Sequence, residues 1–269
     1  MGELEQGPPG IDVTIPSVAR MYDYYLGGKD NFAADREAAG KIIAAVPSAR
    51  DSARRNREFL GRAVRFAAES GIRQFLDIGA GLPTQENVHQ VALRTAPDSR
   101  VVYVDNDPIV LVHGRALLAD NRQTTVIQGD LHDPDAILND PKLTAHLDLD
   151  RPMAVLLVAI LHFIPDEDEA TSIVARIRER LAPGSLLILS HIYDAGYDDE
   201  AIRVGSQVYS RTATGSLSAR SPERVAAYFA GMELVEPGVV PVESWRPEID
   251  DIAINPAPSG VLGAVARMP

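Results

Sequence analysis

The chain of 269 residues contains no cysteine. Disulfides and thiolate metal sites are therefore excluded. No apolar run reaches the about 18 residues that a membrane span needs. Met1–Gly10 is polar and rich in glycine and proline, without the apolar core of a signal peptide. A cytoplasmic protein that does not engage a membrane is expected. Positive charge is also short: 26 Lys and Arg face 38 Asp and Glu, a net charge of −12. Such a surface repels phosphate, so no nucleic-acid partner is expected. The strongest basic cluster, Arg50, Arg54, Arg55, Arg57, Arg62 and Arg65, spreads around a helix. It reads as a solvated face with acidic partners rather than a phosphate site. Internal repeats, low-complexity blocks and metal-ligand spacings are missing too. What is present is 45% hydrophobic and 24% charged, an ordinary globular composition.

Residues 1–15 read as a flexible leader. Residues 16–70 read as three helices: one from Pro16–Ser17 to Gly27–Gly28, one from Asn31 to Ala45, and one from Ser48 to Glu69, closed by Gly71. The pattern then changes. Apolar or β-branched runs at 74–78, 100–104, 124–128, 153–158 and 185–190 read as strands. Helical segments at 85–96, 108–119 and 168–181 separate them, with short helix or loop at 135–147. This alternation predicts a doubly wound α/β domain over 71–269, with a mostly parallel sheet. A helix over 194–218, a second over 221–229 and closing strands at 233–235 and 261–267 complete it. The proline-containing stretch between those strands reads as loop.

In such a sheet, ligands bind beyond the carboxyl ends of the strands, where strand order reverses. The first strand ends in Asp77-Ile78-Gly79-Ala80-Gly81. Taken alone, this turn suits an ordinary strand–helix connection as well as a ligand site. A dinucleotide site wants a small third residue, and here Pro83–Thr84 stands in its place. Asp77 is poorly suited to a pyrophosphate neighbour and well suited to a cationic ligand, such as a sulfonium that also carries an ammonium. Asp105 ends the second strand, 24 positions beyond Gly81. A carboxylate there accepts from ribose hydroxyls; otherwise it would cap the next helix, a task open to Asp107. The third strand is followed by Gly129-Asp130-Leu131, a carboxylate for an adenine amino group with an apolar cover. The conjunction is far more specific than any member.

With these residues in place, the chain resembles the class I S-adenosylmethionine-dependent methyltransferases. More narrowly, it resembles the actinobacterial "S-adenosyl methyltransferase" family, formerly a domain of unknown function. The segments that carry this are 20–37 (RMYDYYLGGKDNFAADRE), 75–84 (FLDIGAGLPT), 101–108 (VVYVDNDP), 156–166 (LLVAILHFIPD) and 182–191 (APGSLLILSH). The resemblance runs from residue 12 to the end. It implies a Rossmann-like, seven-stranded methyltransferase sheet with an antiparallel hairpin near the C-terminus. It also implies S-adenosyl-L-methionine as cofactor: Asp77, Gly79, Ala80 and Gly81 near its amino-acid part, Asp105 on the ribose, Asn106 beside the adenine, Asp130 and Leu131 holding it. Ala159 and Leu161 would line the pocket near the sulfonium. Some methyltransferases acting on nitrogen carry D/N-P-P-[FYW] after the fourth strand. Residues 158–163 (VAILHF) depart from it, so that chemistry is not supported.

Residues 16–57 are expected to form a helical cap over the cofactor mouth, offering Tyr22, Gly28, Lys29 and also Arg57. Methyl transfer needs a base only if the acceptor must lose a proton. His162 and His191, each just past a strand, are the candidates, with Tyr193 a further option; packing roles weigh evenly against His162 and more heavily against His191. The expected partner is a small-molecule acceptor. A cofactor-binding regulator without chemistry is the alternative, and an NAD(P)-dependent oxidoreductase is the less favoured third.

Overall fold

The computed structural model describes residues 11–83, 86–117, 121–194, 197–212, 215–247 and 259–269. Ser17 caps helix α1 (Val18–Tyr25) by accepting from the Arg20 N–H. The helix stops where Gly27 turns to φ 81°. The Gly28 N–H then donates to the Asp23 carbonyl at 2.9 Å and the Gly27 N–H to the Tyr24 carbonyl at 3.1 Å. Both orphan acceptors are thereby closed. Gly28 is also sterically required, since a Cβ there would lie 1.9 Å from Asp23 Oδ1. Helix α2 (Ala33–Ala45) and the long α3 (Ala49–Glu69) follow.

Five strands then alternate with helices: β1 (Gln74–Ile78), α4 (Val88–Thr95), β2 (Arg100–Asp105), α5 (Pro108–Leu117), β3 (Thr124–Gln128), α6 (Pro134–Leu138), α7 (Pro141–His146), β4 (Ala154–Val158), α8 (Glu167–Glu179) and β5 (Leu186–Ile192). After them come α9 (Asp199–Tyr209), α10 (Pro222–Ala227), β6 (Glu233–Leu234), β7 (Val240–Pro241) and β8 (Val261–Arg267). The sheet order is β3-β2-β1-β4-β5-β8-β6, with β7 also on β8. Strands β1 to β5 are parallel, and β8 runs antiparallel to β5. The order reverses between β1 and β4, which is where such a sheet opens a crevice.

The parallel strands bury both faces. Leu76, Val102, Val155 and Leu187 pack into one apolar cluster with α8. Their neighbours Phe75, Val101, Ala154 and Leu186 pack into the other, with Phe59, Ala63 and Ala67 of α3 and the buried Trp245. This explains the unbroken apolar runs in the sequence. Asp77 shares a face with Phe75, so it points toward α3.

The structure departs from the sequence reading in three places. The sheet has eight strands rather than seven, because Val240–Pro241, within the stretch read as loop, pairs with Leu262 and Gly263. Proline hid it; a two-residue pairing at a sheet margin tolerates the missing N–H. The helix read over 194–218 spans only Asp199–Tyr209, since Asp198 caps its start by accepting from the Ala201 N–H at 2.8 Å and Thr212 closes its end, its hydroxyl donating to the Tyr209 carbonyl at 2.7 Å. Residues 11–15, read as the end of a leader, are tied to α1: Arg20 Nη2 donates to the Ile15 carbonyl at 2.5 Å. Residues 1–10, Thr84 and Gln85 fall outside the described residues. Among the described residues no helix is long and apolar enough to cross a membrane.

Candidate functional site

A cavity of about 740 Å³ opens at the carboxyl ends of β1, β2, β3 and β4 and is roofed by α1, α3 and α9. That lies in the upper half of the roughly 300–1,000 Å³ range of small-molecule sites. Asp77, Gly79, Ala80, Gly81, Asp105, Asn106, Asp130, Leu131, Ala159 and Tyr22 all line it. Gly28 and Lys29 do not; Gly28 is spent against Asp23.

Each strand end has a local cause. Gly79 takes φ 77°, and a Cβ there would sit 2.6 Å from Ile160 Cγ1. Gly81 takes φ 66°, and a Cβ there would meet nothing within 4 Å. The first glycine is needed for packing, whereas the second presents bare backbone to open space. Asp105 Oδ2 accepts from the Gly81 N–H at 2.8 Å and Oδ1 from the Asp107 N–H at 2.9 Å. Asp107 itself caps α5, accepting from the Ile109 N–H at 3.0 Å. The Asn106 N–H also faces this carboxylate, whose two oxygens have about four acceptor sites between them, so capacity remains for a hydroxyl. Burial pushes its carboxyl up to about 6 despite these donors. Asp130 Oδ1 accepts from the His132 N–H at 3.0 Å, which leaves its other oxygen for a ligand. Ala159 holds φ 56°, an uncommon conformation for a residue with a Cβ. Its N–H is clamped by Ser190 Oγ at 2.9 Å.

Asp77 is only 4% exposed and accepts no hydrogen bond among the described residues. Burial pushes its carboxyl up to about 7, with the Arg57 guanidinium pulling the other way. Arg57 also lines the cavity. Its Nη2 donates to Asn87 Oδ1 at 3.1 Å, while its buried Nε has no partner. Such a carboxylate beside an incompletely paired guanidinium has the charge pattern that complements a zwitterion. The rest of the basic cluster disperses: Arg54 pairs with Asp51 at 3.2 Å, and Arg62 is buried, donating to the Trp245 and Val242 carbonyls.

The helical roof is fastened to the strand ends by a satisfied polar chain. Ser190 Oγ donates to Asn56 Oδ1 at 2.6 Å, Asn56 Nδ2 to Tyr22 Oη at 3.0 Å, and Tyr22 Oη to the Ala53 carbonyl at 3.1 Å. Ser17 Oγ donates to Asp107 Oδ2 at 2.6 Å. No sequence signal pointed to Asn56, Ser190 or Ser17 in these roles.

The two histidines part company. His162 lines the cavity, is 5% exposed, and has a buried Nδ1 without a partner. Burial, His191 and Arg220 hold it well below the usual imidazole range, so it is neutral. His191 does not line the cavity. Its Nε2 accepts from Arg220 Nη1 at 2.7 Å, and its Nδ1–H donates to the Ile192 carbonyl at 2.6 Å. That ring orients Arg220, which in turn holds the Leu161 and Ile164 carbonyls. Tyr193 lies off the cavity, and Leu161 is buried in the core cluster; Ile160 lines the wall instead. Among the described residues no group of His, Asp and Glu is placed to hold a metal.

A family model described as S-adenosyl methyltransferase matches residues 4–269. The chain belongs to this family. Two solved structures resemble it over nearly the whole chain. A protein from Thermobifida fusca YX, provisionally assigned as a methyltransferase, is 43% identical, with 97% of this chain and 98% of that chain covered and a TM-score of 0.89. A DUF574-family protein from Streptomyces avermitilis MA-4680 is 42% identical, with 96% and 99% covered and the same TM-score of 0.89. An O-methyltransferase-family protein from Burkholderia thailandensis is 14% identical over 87% of this chain and 59% of that one, with a TM-score of 0.51, a likeness of fold alone. A search of curated proteins finds no significant match.

Proposed function

We propose that the cavity binds S-adenosyl-L-methionine and that the protein transfers its methyl group to a small-molecule acceptor in the cytoplasm. The observation that carries this is Asp77. It is a buried carboxylate without donors among the described residues, beside the unpaired Arg57 Nε, at the switch point of the sheet. Those two groups match an α-amino acid, ammonium on Asp77 and carboxylate on Arg57. Asp105 suits the ribose diol, and Asp130 with Leu131 suits the adenine, Asn106 lying alongside. The open space over Gly81 and the strained Ala159 leave room for the chain between these ends. When bound, the sulfonium supplies an activated methyl group: its carbon–sulfur bond breaks with the electron pair kept on sulfur, and a bond to the acceptor forms.

The protein's own part is positioning and exclusion of water. The chain Ala159–Ser190–Asn56–Tyr22 fixes the roof over the strand ends. His162, neutral at physiological pH, takes the acceptor's proton. Calorimetric titration tests the reading: S-adenosylmethionine and S-adenosylhomocysteine bind, and NAD does not. Release of S-adenosylhomocysteine on incubation with a pooled metabolite extract tests turnover. Binding without release would leave a cofactor-binding regulator. His162→Ala is expected to keep S-adenosylhomocysteine affinity and to slow turnover by ~10²–10⁴-fold.

A further inference from the structure

The cavity has a second half that the cofactor reading does not use. It is walled by α2, by the start of α3, by the single turn Leu161–Phe163 and by α9. Among the described residues, α2 and α9 contribute no Asp, Glu, Lys or Arg to its lining; they contribute Ile42, Ala201, Ile202, Gly205 and Tyr209. Phe163 and Leu217 complete the wall. The hydroxyls on this side already have partners. Tyr22 Oη donates to the Ala53 carbonyl, Ser52 Oγ to the Ser259 carbonyl at 2.5 Å, and Tyr209 Oη shares a hydrogen bond with Tyr25 Oη at 3.3 Å. The polar exception is His162, with its unpartnered Nδ1.

Resting on the methyl-transfer reading above, we infer that this half receives an uncharged, apolar aromatic molecule bearing a hydroxyl that meets His162. A charged acceptor would find no counter-charge on α2 or α9, and the α1 charges that line the cavity, Arg20 and Asp23, are already held by Asp35 and by the Asp30 N–H and Asn31, so its desolvation disfavours it. A flat ring finds edges to pack against, since the rings of Phe163 and Tyr209 lie 5.5 Å apart at 56°. Entry is marked by Ile202, which lines the cavity and is still 37% exposed, an apolar sill in a protein whose surface is strongly acidic. In the reaction, the acceptor oxygen gains the methyl carbon, its proton passes to the His162 imidazole, and the sulfonium becomes a neutral thioether.

The experiment titrates three probes of one shape into the protein loaded with S-adenosylhomocysteine, near neutral pH. The probes are 2-naphthol, 2-naphthoate and 2-naphthylmethylammonium. The neutral naphthol is expected to bind at least ~10-fold more tightly than either ion. Ile202→Glu is expected to weaken naphthol ~10-fold and to leave S-adenosylhomocysteine affinity as it was, which also shows the variant folded. Equal or tighter binding of an ion, or no binding of naphthol to loaded protein, overturns the inference. If S-adenosylhomocysteine itself fails to bind, the cofactor reading falls. The same three titrations into ligand-free protein then decide the character of the compartment.

Discussion

In the proposed site Asp77 and Arg57 recognise the amino-acid end of the cofactor, and each makes a separate prediction. The Asp77 carboxyl is pushed from 3.8 up to about 7 in the folded chain, chiefly by burial. A carboxyl raised in this way contributes its full share of stability below the ordinary value of 3.8. That share is lost as pH rises and is gone once pH has passed through about 7. Asp77→Asn mimics the protonated form, so it is expected to raise Tm of the ligand-free protein above neutral pH by at least ~2 °C. The ammonium of a bound amino acid reverses the preference and demands the ionised form. S-adenosylhomocysteine affinity is therefore expected to fall about tenfold per pH unit below about 7 in the wild type. In Asp77→Asn it is expected to be weak and flat with pH. A wild-type affinity flat between mildly acidic and neutral pH would show that Asp77 does not meet the ammonium. Arg57→Met is expected to weaken S-adenosylhomocysteine ~10–100-fold, the worth of a charge-assisted hydrogen bond. It should leave 5′-methylthioadenosine, which lacks the amino-acid part, unaffected. Equal losses for both ligands would move Arg57 away from the carboxylate. Strand-end carboxylates such as Asp77 and Asp105 were legible in the sequence because each closely follows an apolar strand core. Arg57 was harder: it sits among six arginines on one helix, and only the packed structure separates it from Arg54 at the surface and Arg62 in the core.

At the scale of elements, the roof is held by one buried ion pair. Arg20 Nε lies 2.8 Å from Asp35 Oδ2, with side-chain exposures of 3% and 0%. Asp35 also accepts from the Ser17 and Phe32 N–H groups, so it ties the start of α1 to the start of α2. Removing one partner leaves an uncompensated buried charge. Arg20→Met is expected to cost ~3–5 kcal/mol, and the double variant Arg20→Met/Asp35→Leu to recover part of it. Urea unfolding of the two variants measures the difference; equal losses would mean the pair is not coupled. The helices of this roof were readable from proline, glycine and apolar spacing. Their fastening was not. Ser190 and Asn56 are 134 positions apart, Ser17 and Asp107 are 90 apart, and nothing local to either residue announces such a partner. The same holds for the shortened α9, which docks on α2 and ends where the Arg211 and Thr212 N–H groups turn back to the Val208 and Tyr209 carbonyls.

For the whole molecule, the five parallel strands were legible because burial on both faces leaves an unbroken apolar signature, while β7 was hidden behind Pro241. The boundary between roof and sheet is the point where sequence and packing part. A change of pattern at Gly71 divides the chain into 16–70 and 71–269. In the structure α3 serves both sides of that line. Its first turns line the cavity through Ser52, Ala53, Asn56 and Arg57. Its later turns place Phe59, Leu60, Ala63, Val64 and Ala67 in the same buried cluster as Phe75, Leu156 and Trp245. These five side chains are each at most 3% exposed. A fragment that begins at residue 71 would open that face of the sheet to water, an apolar patch far larger than a monomer tolerates. Each lost side chain would also forfeit roughly 1.5–3 kcal/mol of burial or the smaller alanine share of it, against a total stability of only about 5–15 kcal/mol. The fragment 71–269 is therefore expected not to fold: dye binding to exposed apolar surface, no near-ultraviolet dichroism, no S-adenosylhomocysteine binding. A fragment beginning at residue 47 restores α3 and is expected to regain near-ultraviolet dichroism while still lacking α1 and α2. The intact chain is expected to melt in one transition that S-adenosylhomocysteine raises, by the equivalent of about 2.7 kcal/mol at a hundredfold excess over Kd. Two separate transitions, or a folded and ligand-binding 71–269, would mean that α3 is an accessory to the sheet and not part of its core.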